Sequence, residues 1–340
     1  MSRCEEVFPG HGSDLTTLWR SKQLQYTWLR SLMAKYEDFW QITRDGLTFA
    51  CRSLGLDATQ EQINDLMQAY LGLNPFPEVA AALDAKVVKP TDRYNCENGK
   101  YNLGSAGVIH DVHPYGSLTV SEIIKKSSNI GAAKIGLKLG TQKTAHYLKG
   151  FGFGQRTGIN YAGESYGLVR NITSCRSLID LLTVSFGQGI TTTPIQLAMA
   201  LSALANDGIL MKPLLVKSII DHSGQVVKEF KPTPVRQVIS PEAAHTVLGM
   251  MRTVTEQGGT GTAAVPAGYT VAGKTGTADK VVGRAFSKSK YNSLFVGVTP
   301  ADKPVLAIVV IVDEPKGAIY GGVVAAPIFR EIAAQSMRFL

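Results

Sequence analysis

The sequence predicts an α+β fold in which helices pack on an antiparallel sheet, preceded by a small all-helical bundle. Two β-rich runs, residues 291–298 and 304–312, are joined by the turn-forming segment 299–303, which predicts an antiparallel hairpin. Segment 193–196 (Thr-Pro-Ile-Gln) combines an N-cap residue, a proline at the first helical position and a glutamine two residues later. This combination predicts a helix start. Before residue 79 the apolar residues recur at helical spacing.

Residues 1–78 are predicted to form a bundle of three antiparallel helices joined by short loops. The first helix follows Ser13, the second covers residues 38–53, and the third is N-capped near Asp57. The segment 74–77 (Asn-Pro-Phe-Pro) then ends the helical pattern. We therefore predict two domains, residues 1–78 and residues 79–340.

The larger domain is predicted to alternate helices with short hairpins before its sheet. Its predicted elements are a glycine-rich hairpin insert at 94–113, helices at 142–150 and 241–255, and a last helix opened by Pro327.

Composition and charge indicate a globular protein without the clustered basic residues that are typical of nucleic-acid binding. Of 340 residues, 44% are hydrophobic and 18% charged, which excludes a disordered chain. The net charge of +8 is scattered along the chain, so it permits attraction to an anionic polymer or membrane surface but predicts no nucleic-acid partner. The longest apolar run is far shorter than the ~20 residues that cross a bilayer. With no secretory signal visible, the sequence as written predicts no transmembrane segment and a cytoplasmic chain.

The four cysteines show neither metal-ligand spacing nor a Cys-x-x-Cys pair. They are Cys4, Cys51, Cys96 and Cys175. We predict free thiols, and we expect neither a metal nor a cofactor.

A serine and an asparagine are predicted at a junction between two helices. Thr119 and Glu122 form a capping box that predicts a helix over 118–127, and a second helix is predicted over 130–139. Ser127 and Asn129 fall between them, where side chains are presented rather than packed. Such residues usually serve only as helix caps, so this junction indicates a site only together with a second motif.

The second motif is a strand at residues 271–278 that presents a cation and two hydroxyls. Lys274 and Gly276 are predicted on one face of this strand, and Thr275 and Thr277 on the other. Because Gly276 has no side chain, a substrate backbone could lie against the strand there. The alternative is an edge strand on which the lysine only prevents aggregation.

Together, Ser127-Ser128-Asn129 and Lys274-Thr275-Gly276-Thr277 resemble the second and third motifs of the serine β-lactamase and penicillin-binding protein superfamily. From about residue 80 to residue 340 the chain resembles the transpeptidase domain of a division-type class B penicillin-binding protein. Segments 185–189 (Ser-Phe-Gly-Gln-Gly) and 320–322 (Tyr-Gly-Gly) fit this resemblance as well. It implies peptidoglycan D,D-transpeptidation, a stem peptide or β-lactam as ligand, and a place on the periplasmic face of the inner membrane.

The resemblance also implies roles for individual residues. Ser127 would relay a proton, Asn129 would hydrogen-bond the amide of the donor peptide, and Lys274 would supply positive potential. The implied substrate-binding residues are Thr275, Gly276 and Thr277, and the hydroxyls of the two threonines would bind the terminal carboxylate.

The Ser-x-x-Lys motif that carries the nucleophile in this family is not found where it is expected. Residues 79–86 resemble the end of its helix, which places the serine near Gly72 and the lysine near Pro75, and neither residue can do that chemistry. The one literal match, Ser287 to Lys290, is predicted in a polar hairpin connection. The fold is therefore predicted to be truncated and inactive, with no covalent β-lactam label that survives denaturation.

Segments 19–24 and 26–30 resemble the helical cap of L-2-haloacid dehalogenases. The resemblance implies that Arg20 meets the substrate carboxylate or halide and that Leu24 and Phe39 line an apolar pocket. The alternative is a solvated arginine and ordinary bundle core, and no aspartate nucleophile follows an apolar strand here. Three possibilities stay open: an inactive penicillin-binding domain, a dehalogenase-related hydrolase fragment, or a non-functional chimera joined near residues 75–80.

Overall fold

The computed structural model describes residues 3–19, 21–22, 39–59, 62, 77–104, 107–159, 164–169, 172–173, 178–282 and 285–340. Its helices are α1 Arg3–Val7, α2 Phe39–Ser53, α3 Pro77–Asp84, α4 Val120–Lys126, α5 Asn129–Leu139, α6 Thr141–Gly150, α7 Leu178–Ser185, α8 Pro194–Ala205, α9 Pro241–Thr255 and α10 Gly321–Ser336. Residues 12–19 and 21–22 are helical too. The strands are β1 Arg93–Asn95, β2 Lys100–Asn102, β3 Val108–His110, β4 Ser117–Thr119, β5 Leu168–Val169, β6 Ile190–Thr191, β7 Ile209–Met211, β8 Ser218–Ile220, β9 Val226–Glu229, β10 Pro234–Gln237, β11 Ala272–Val282, β12 Ala285–Thr299 and β13 Leu306–Asp313.

The largest sheet of the described chain is antiparallel, with the strand order β11-β12-β13. Lys274 of β11 lies opposite Val296 of β12, and Leu294 lies opposite Ile311 of β13. Leu294 packs into the core formed by the helices α3 to α9, whereas Phe295, the next residue, packs against α10. This alternation follows from the two-residue period of a strand. The α+β prediction and the hairpin at the C-terminal end are therefore confirmed.

The short hairpins precede the sheet, as the glycine-rich segment predicted. Strand β1 pairs with β4, and β2 pairs with β3 inside that pair. The residue just after β3, Asp111, then lies at the start of α5, where it accepts a hydrogen bond from the Ile130 N–H.

The predicted start of the last helix is wrong. Helix α10 begins at Gly321, and Pro327 lies inside it, where it has no N–H to donate to the helix ladder. A Cβ on Gly321 would lie 2.2 Å from the carbonyl oxygen of Leu294, and one on Gly322 would lie 2.1 Å from that of Thr260. Because only glycine permits this approach, the helix begins where its backbone touches the sheet.

Helix α8 begins with the capping box that the sequence predicted. The Thr193 hydroxyl accepts from the Gln196 N–H at 3.2 Å, and the Gln196 side chain accepts from the Thr193 N–H at 2.9 Å. The Gln196 amide also donates to the carbonyls of Gln155 and Tyr166 at 2.7 and 3.0 Å. The cap therefore joins α8 to two loops.

We expect Thr193→Ala to lower the free energy of unfolding by about 1 kcal/mol, because it removes the acceptor for a helix N–H. Urea denaturation followed by far-UV circular dichroism measures the change. Thr193→Ser keeps the hydroxyl and serves as the matched control. Equal stability of the alanine and serine variants would contradict the expected contribution of the cap.

The N-terminal residues form a buried cluster of their own. It contains Cys4, Phe8, Leu15, Trp19, Leu47, Ala50 and Cys51. Helix α3 belongs instead to the core of the larger unit, with Val79 to Ala82 fully buried there. The division into two domains, with its boundary at 78/79, stays a prediction. Most of the predicted third bundle helix lies outside the described residues.

Cys4, Cys51 and Cys96 are free thiols, as predicted, and Cys175 lies outside the described residues. Among the helices that the structure describes, none combines the length and apolar character needed to cross a membrane.

Candidate active site

The two motifs predicted from the sequence meet in one cleft. The ammonium of Lys274 donates to the Ser127 hydroxyl at 2.7 Å, although the residues are 147 positions apart in the chain. Ser127 comes from the helical side of the cleft, and Lys274 from β11, the edge strand of the described sheet. The cleft therefore lies between the sheet edge and the α4–α5 junction.

Ser127 is presented by a sharp change of chain direction. It is the C-cap of α4 in the left-handed conformation, with φ 59° and ψ 47°, and the next residue, Ser128, is the N-cap of α5. The capping box of Thr119 and Glu122 at the start of α4 is present as predicted. Because a left-handed serine is uncommon, the geometry on both sides must hold it in place.

Asp111, which directly follows β3, anchors the junction between α4 and α5. Its carboxylate accepts from the Ser128 hydroxyl at 2.6 Å and from the Ile130 N–H at 3.0 Å, at the N-terminus of α5. Burial raises the pKa of the Asp111 carboxyl, and these hydrogen bonds partly oppose that rise. The Asn129 amide donates to the His110 carbonyl at 2.9 Å, which anchors the same turn on β3. Sequence reasoning missed Asp111, because a single acid in a glycine-rich segment carries no motif.

Lys274 is held in an unusually dry environment. Its side chain is only 6% exposed and lines an otherwise apolar cavity of about 80 Å³ between α3, α8, α9 and the sheet. Burial lowers the pKa of Lys274 to about 7, and the attraction of Glu78 partly opposes this shift. The amine also donates to the Thr275 carbonyl at 3.0 Å. A lysine with this pKa can both donate and accept a proton near neutral pH.

Glu78 of α3 is the second ionisable group of this region that the sequence did not indicate. It is 1% exposed, and neither carboxylate oxygen has a hydrogen-bond partner among the described residues. Burial raises the pKa of Glu78 well above its ordinary value, and the nearby Lys274 lowers it by a smaller amount. Both groups are therefore shifted towards their neutral forms. The sequence feature that could have indicated this buried acid is its position directly before the apolar run 79–82.

The hydroxyls of the strand motif lie on the face away from Lys274. Thr275 and Thr260 share a hydrogen bond of 2.7 Å between their hydroxyls, and the Thr277 hydroxyl accepts from the Gly321 N–H at 3.2 Å. A Cβ on Gly276 would lie 2.8 Å from Leu294, so a side chain has no room there. These contacts brace β11 against the start of α10. The binding roles that the resemblance implies for Thr275, Gly276 and Thr277 stay predictions.

Other residues singled out from the sequence lie away from this cleft or outside the description. Arg20, Leu24, Gly72 and Pro75 lie outside the described residues, as does the side chain of Phe39 at the start of α2.

The predicted loop around the literal Ser-x-x-Lys match, residues 287–290, is wrong. These residues belong to β12, and they lie where its register with β11 shifts between the pairs Asp279–Tyr291 and Val281–Phe286.

Comparison with known proteins identifies the family of the chain. The model for the penicillin-binding protein transpeptidase domain matches residues 76–334. The chain therefore belongs to the penicillin-binding protein transpeptidase family, in agreement with the two motifs that meet in the cleft. The match begins after residue 75, and the resemblance of the earlier segment to a dehalogenase cap stays a prediction.

Several curated relatives are named as cell-wall transpeptidases or sporulation proteins. The probable peptidoglycan D,D-transpeptidase PenA of Neisseria meningitidis is 35% identical over 82% of this chain and 45% of its own length. Stage V sporulation protein D of Bacillus subtilis is 40% identical over 66% of this chain and 34% of its own. The peptidoglycan D,D-transpeptidase FtsI of Buchnera aphidicola is 32% identical over 76% and 44%. The chain thus spans less than half the length of these relatives.

Two solved structures share the fold. The apo transpeptidase domain of penicillin-binding protein 3 from Burkholderia pseudomallei matches with a TM-score of 0.69 and 36% identity, over 77% of this chain and 76% of that one. A peptidoglycan glycosyltransferase from Burkholderia ambifaria matches with a TM-score of 0.67 and 34% identity, over 79% and 81%.

Proposed function

We propose that this chain is a division-type penicillin-binding domain that recognises the D-Ala-D-Ala end of a stem peptide, or a β-lactam, without catalysing transpeptidation. The observation that carries the proposal is the contact between Lys274 and Ser127, which joins the two family motifs in one cleft. The names of the relatives support peptidoglycan cross-linking as the setting. The resemblance to division-type proteins supports cell division, on the periplasmic face of the inner membrane, as the context of that cross-linking.

The absence of turnover follows from the residues at the expected nucleophile positions. Gly72 and Pro75 offer neither a hydroxyl nor an amine, and the family match begins just after them. Acyl transfer in this family needs a serine that attacks the carbonyl and a base that takes its proton. Without that pair, release of D-alanine should stay at the rate found in buffer.

Recognition is supported by the charge and position of Lys274. An ammonium in a dry cleft forms a stronger hydrogen bond with a carboxylate than it would in water. The bound carboxylate would also favour the charged form of the amine. The cleft is therefore suited to a ligand that ends in an anion.

We expect diacetyl-L-Lys-D-Ala-D-Ala to bind reversibly, and its C-terminal carboxamide to bind at least about tenfold more weakly, because the carboxamide cannot form the charge-assisted contact. Isothermal titration calorimetry measures both affinities, and a coupled assay tests for D-alanine release. Lys274→Met should abolish the difference between the two ligands. Lys303→Met, which changes an exposed lysine in the β12–β13 turn, is the control that should keep it.

The affinity for the carboxylate ligand should fall as the pH rises through about 7, where Lys274 loses its proton. The carboxamide should show no such dependence. Equal binding of both ligands at every pH, or no binding of either, would contradict the proposed recognition. Release of D-alanine above the buffer rate would contradict the proposed absence of turnover.

A further inference from the structure

We propose that Ser127 is itself a slow acyl acceptor in this cleft, with Lys274 as the group that takes up and returns its proton. The inference rests on the proposed function, because it requires that a β-lactam enters the cleft. It replaces the expectation from the sequence alone that no covalent label forms. The site would accept carbonyl compounds with a strained or activated amide, of which β-lactams are the simplest probes.

The geometry is that of a serine–lysine pair. The Ser127 oxygen and the Lys274 nitrogen are 2.7 Å apart, a distance over which a proton passes directly. Ser127 is partly exposed, whereas Lys274 is buried behind it, so a ligand reaches the hydroxyl before the amine. Serine–lysine pairs act as nucleophile and base on several unrelated folds.

The backbone around Ser127 keeps the pair aligned. Ser127 lies in the left-handed conformation at the end of α4, and Asp111 fixes the following turn through Ser128 and Ile130. The anchored backbone keeps Ser127 at the cleft, and the hydrogen bond from Lys274 directs its hydroxyl towards the amine. A nucleophile held in position in this way loses little entropy when it attacks.

The charges around Lys274 suit a base. Burial in the apolar cavity lowers the pKa of Lys274 to about 7, so about half of the amine is neutral at that pH. Glu78 of α3 acts on Lys274 when its carboxyl is ionised, and its attraction then favours the ammonium that forms on proton transfer. The pair thus supplies an acceptor for the serine proton and a stabilising partner for the product.

The step balances without any further reagent. The Ser127 oxygen bonds to the β-lactam carbonyl carbon while its proton passes to the Lys274 nitrogen. The ring C–N bond then breaks, and the ring nitrogen takes the proton from Lys274. The product is an ester of Ser127 that contains the whole ligand, so the protein gains the mass of one intact benzylpenicillin.

The experiment incubates the full chain with benzylpenicillin, denatures it and measures the intact mass and the modified peptide. We expect up to one adduct per chain, on the peptide that contains Ser127. At saturating ligand the rate should rise severalfold between pH 6 and pH 9, because Lys274 must be neutral to act as a base and the carboxylate of the bound ligand favours its charged form.

The variants test the assignment. Ser127→Gly should lose the adduct yet fold, because glycine accepts the left-handed backbone at this position, and a melting curve verifies the fold. Ser121→Ala is the matched control: this serine lies on the same helix but its hydroxyl donates to the Pro90 carbonyl. It should keep the adduct.

Each outcome is decisive. An adduct lost in Ser127→Gly and kept in Ser121→Ala, with the expected rise in rate with pH, supports the proposal. An adduct on another residue, or a label retained in Ser127→Gly, overturns it. Reversible binding of the D-Ala-D-Ala ligand without any adduct also overturns it but leaves the proposed function intact. If neither binding nor an adduct is found, both proposals fail.

Discussion

Phe295→Ala should lower the free energy of unfolding by about 3–5 kcal/mol, the usual range for deleting a fully buried aromatic ring. Phe295 is 0% exposed, and its ring meets that of Phe329 edge to face at 4.7 Å between centroids. A Cβ on Gly273 would lie only 2.4 Å from the Phe295 ring, so the ring occupies the space that this glycine leaves free. Alanine would leave a cavity between β11 and α10.

Equilibrium unfolding in guanidinium, followed by circular dichroism, measures this change. Phe339→Ala is the matched control, because the same substitution there removes a ring that is 88% exposed. We expect the control to change the stability by no more than about 0.5 kcal/mol. Similar losses in both variants would show that Phe295 does not anchor the sheet to α10.

The features predicted correctly from the sequence are those encoded locally. The capping boxes of Thr119 and Thr193 each depend on four consecutive residues, and both are found where predicted. The hairpin near the C-terminus likewise depends on two β-rich runs and the turn between them. In these cases the local preference and the tertiary structure agree.

The wrong predictions involve contacts between distant parts of the chain. The start of α10 depends on how closely Gly321 approaches Leu294, which no local pattern around Pro327 encodes. The polar composition of residues 287–290 predicts a loop, yet they lie inside β12 because pairing with β11 resumes beyond them, at Val281 and Phe286. Strand length is set by the partner strand as well as by composition.

The candidate site also depends on contacts between distant residues, which local sequence patterns do not encode. Ser127 and Lys274 were placed together by resemblance to a family, since nothing in their local sequence implies a 2.7 Å contact. Glu78 and Asp111 were missed because their importance comes from burial by elements far along the chain. An ionisable residue is recognised as unusual only when its surroundings are known.

Lys274→Met should raise the free energy of unfolding by about 1–4 kcal/mol at pH 7, although it removes a residue of the proposed site. Replacing buried ionic groups by apolar residues of similar volume is often stabilising by this amount, provided that no unpaired charge is left behind. Methionine fits the apolar cavity that Lys274 lines. Glu78 is shifted towards its neutral form, so the substitution leaves no buried charge behind.

Lys280→Met is the matched control on the same strand. Lys280 is also only 5% exposed, but its ammonium pairs with Asp313 at 2.7 Å and with Glu314 at 2.8 Å. Removing it should lower the free energy of unfolding by about 1–3 kcal/mol, because Asp313 loses this partner and Glu314 keeps, among the described residues, only Lys290, at 3.7 Å. The two substitutions should therefore change the stability in opposite directions.

The pH dependence of the free energy of unfolding identifies why Lys274→Met should be more stable than the wild type. Lys274 has a pKa of about 7 in the folded chain, below its ordinary value of 10.5, so between these values the unfolded chain binds more protons and wild-type stability rises with pH. Glu78 acts in the opposite direction, because its raised pKa makes stability fall as the pH rises through it. Lys274→Met removes only the first dependence, so its advantage should be largest at pH 7 and below and disappear near pH 10. Urea unfolding at pH 6, 7, 8 and 9 measures it, and a loss of stability at pH 7 would show instead that Lys274 and Glu78 form a buried ion pair.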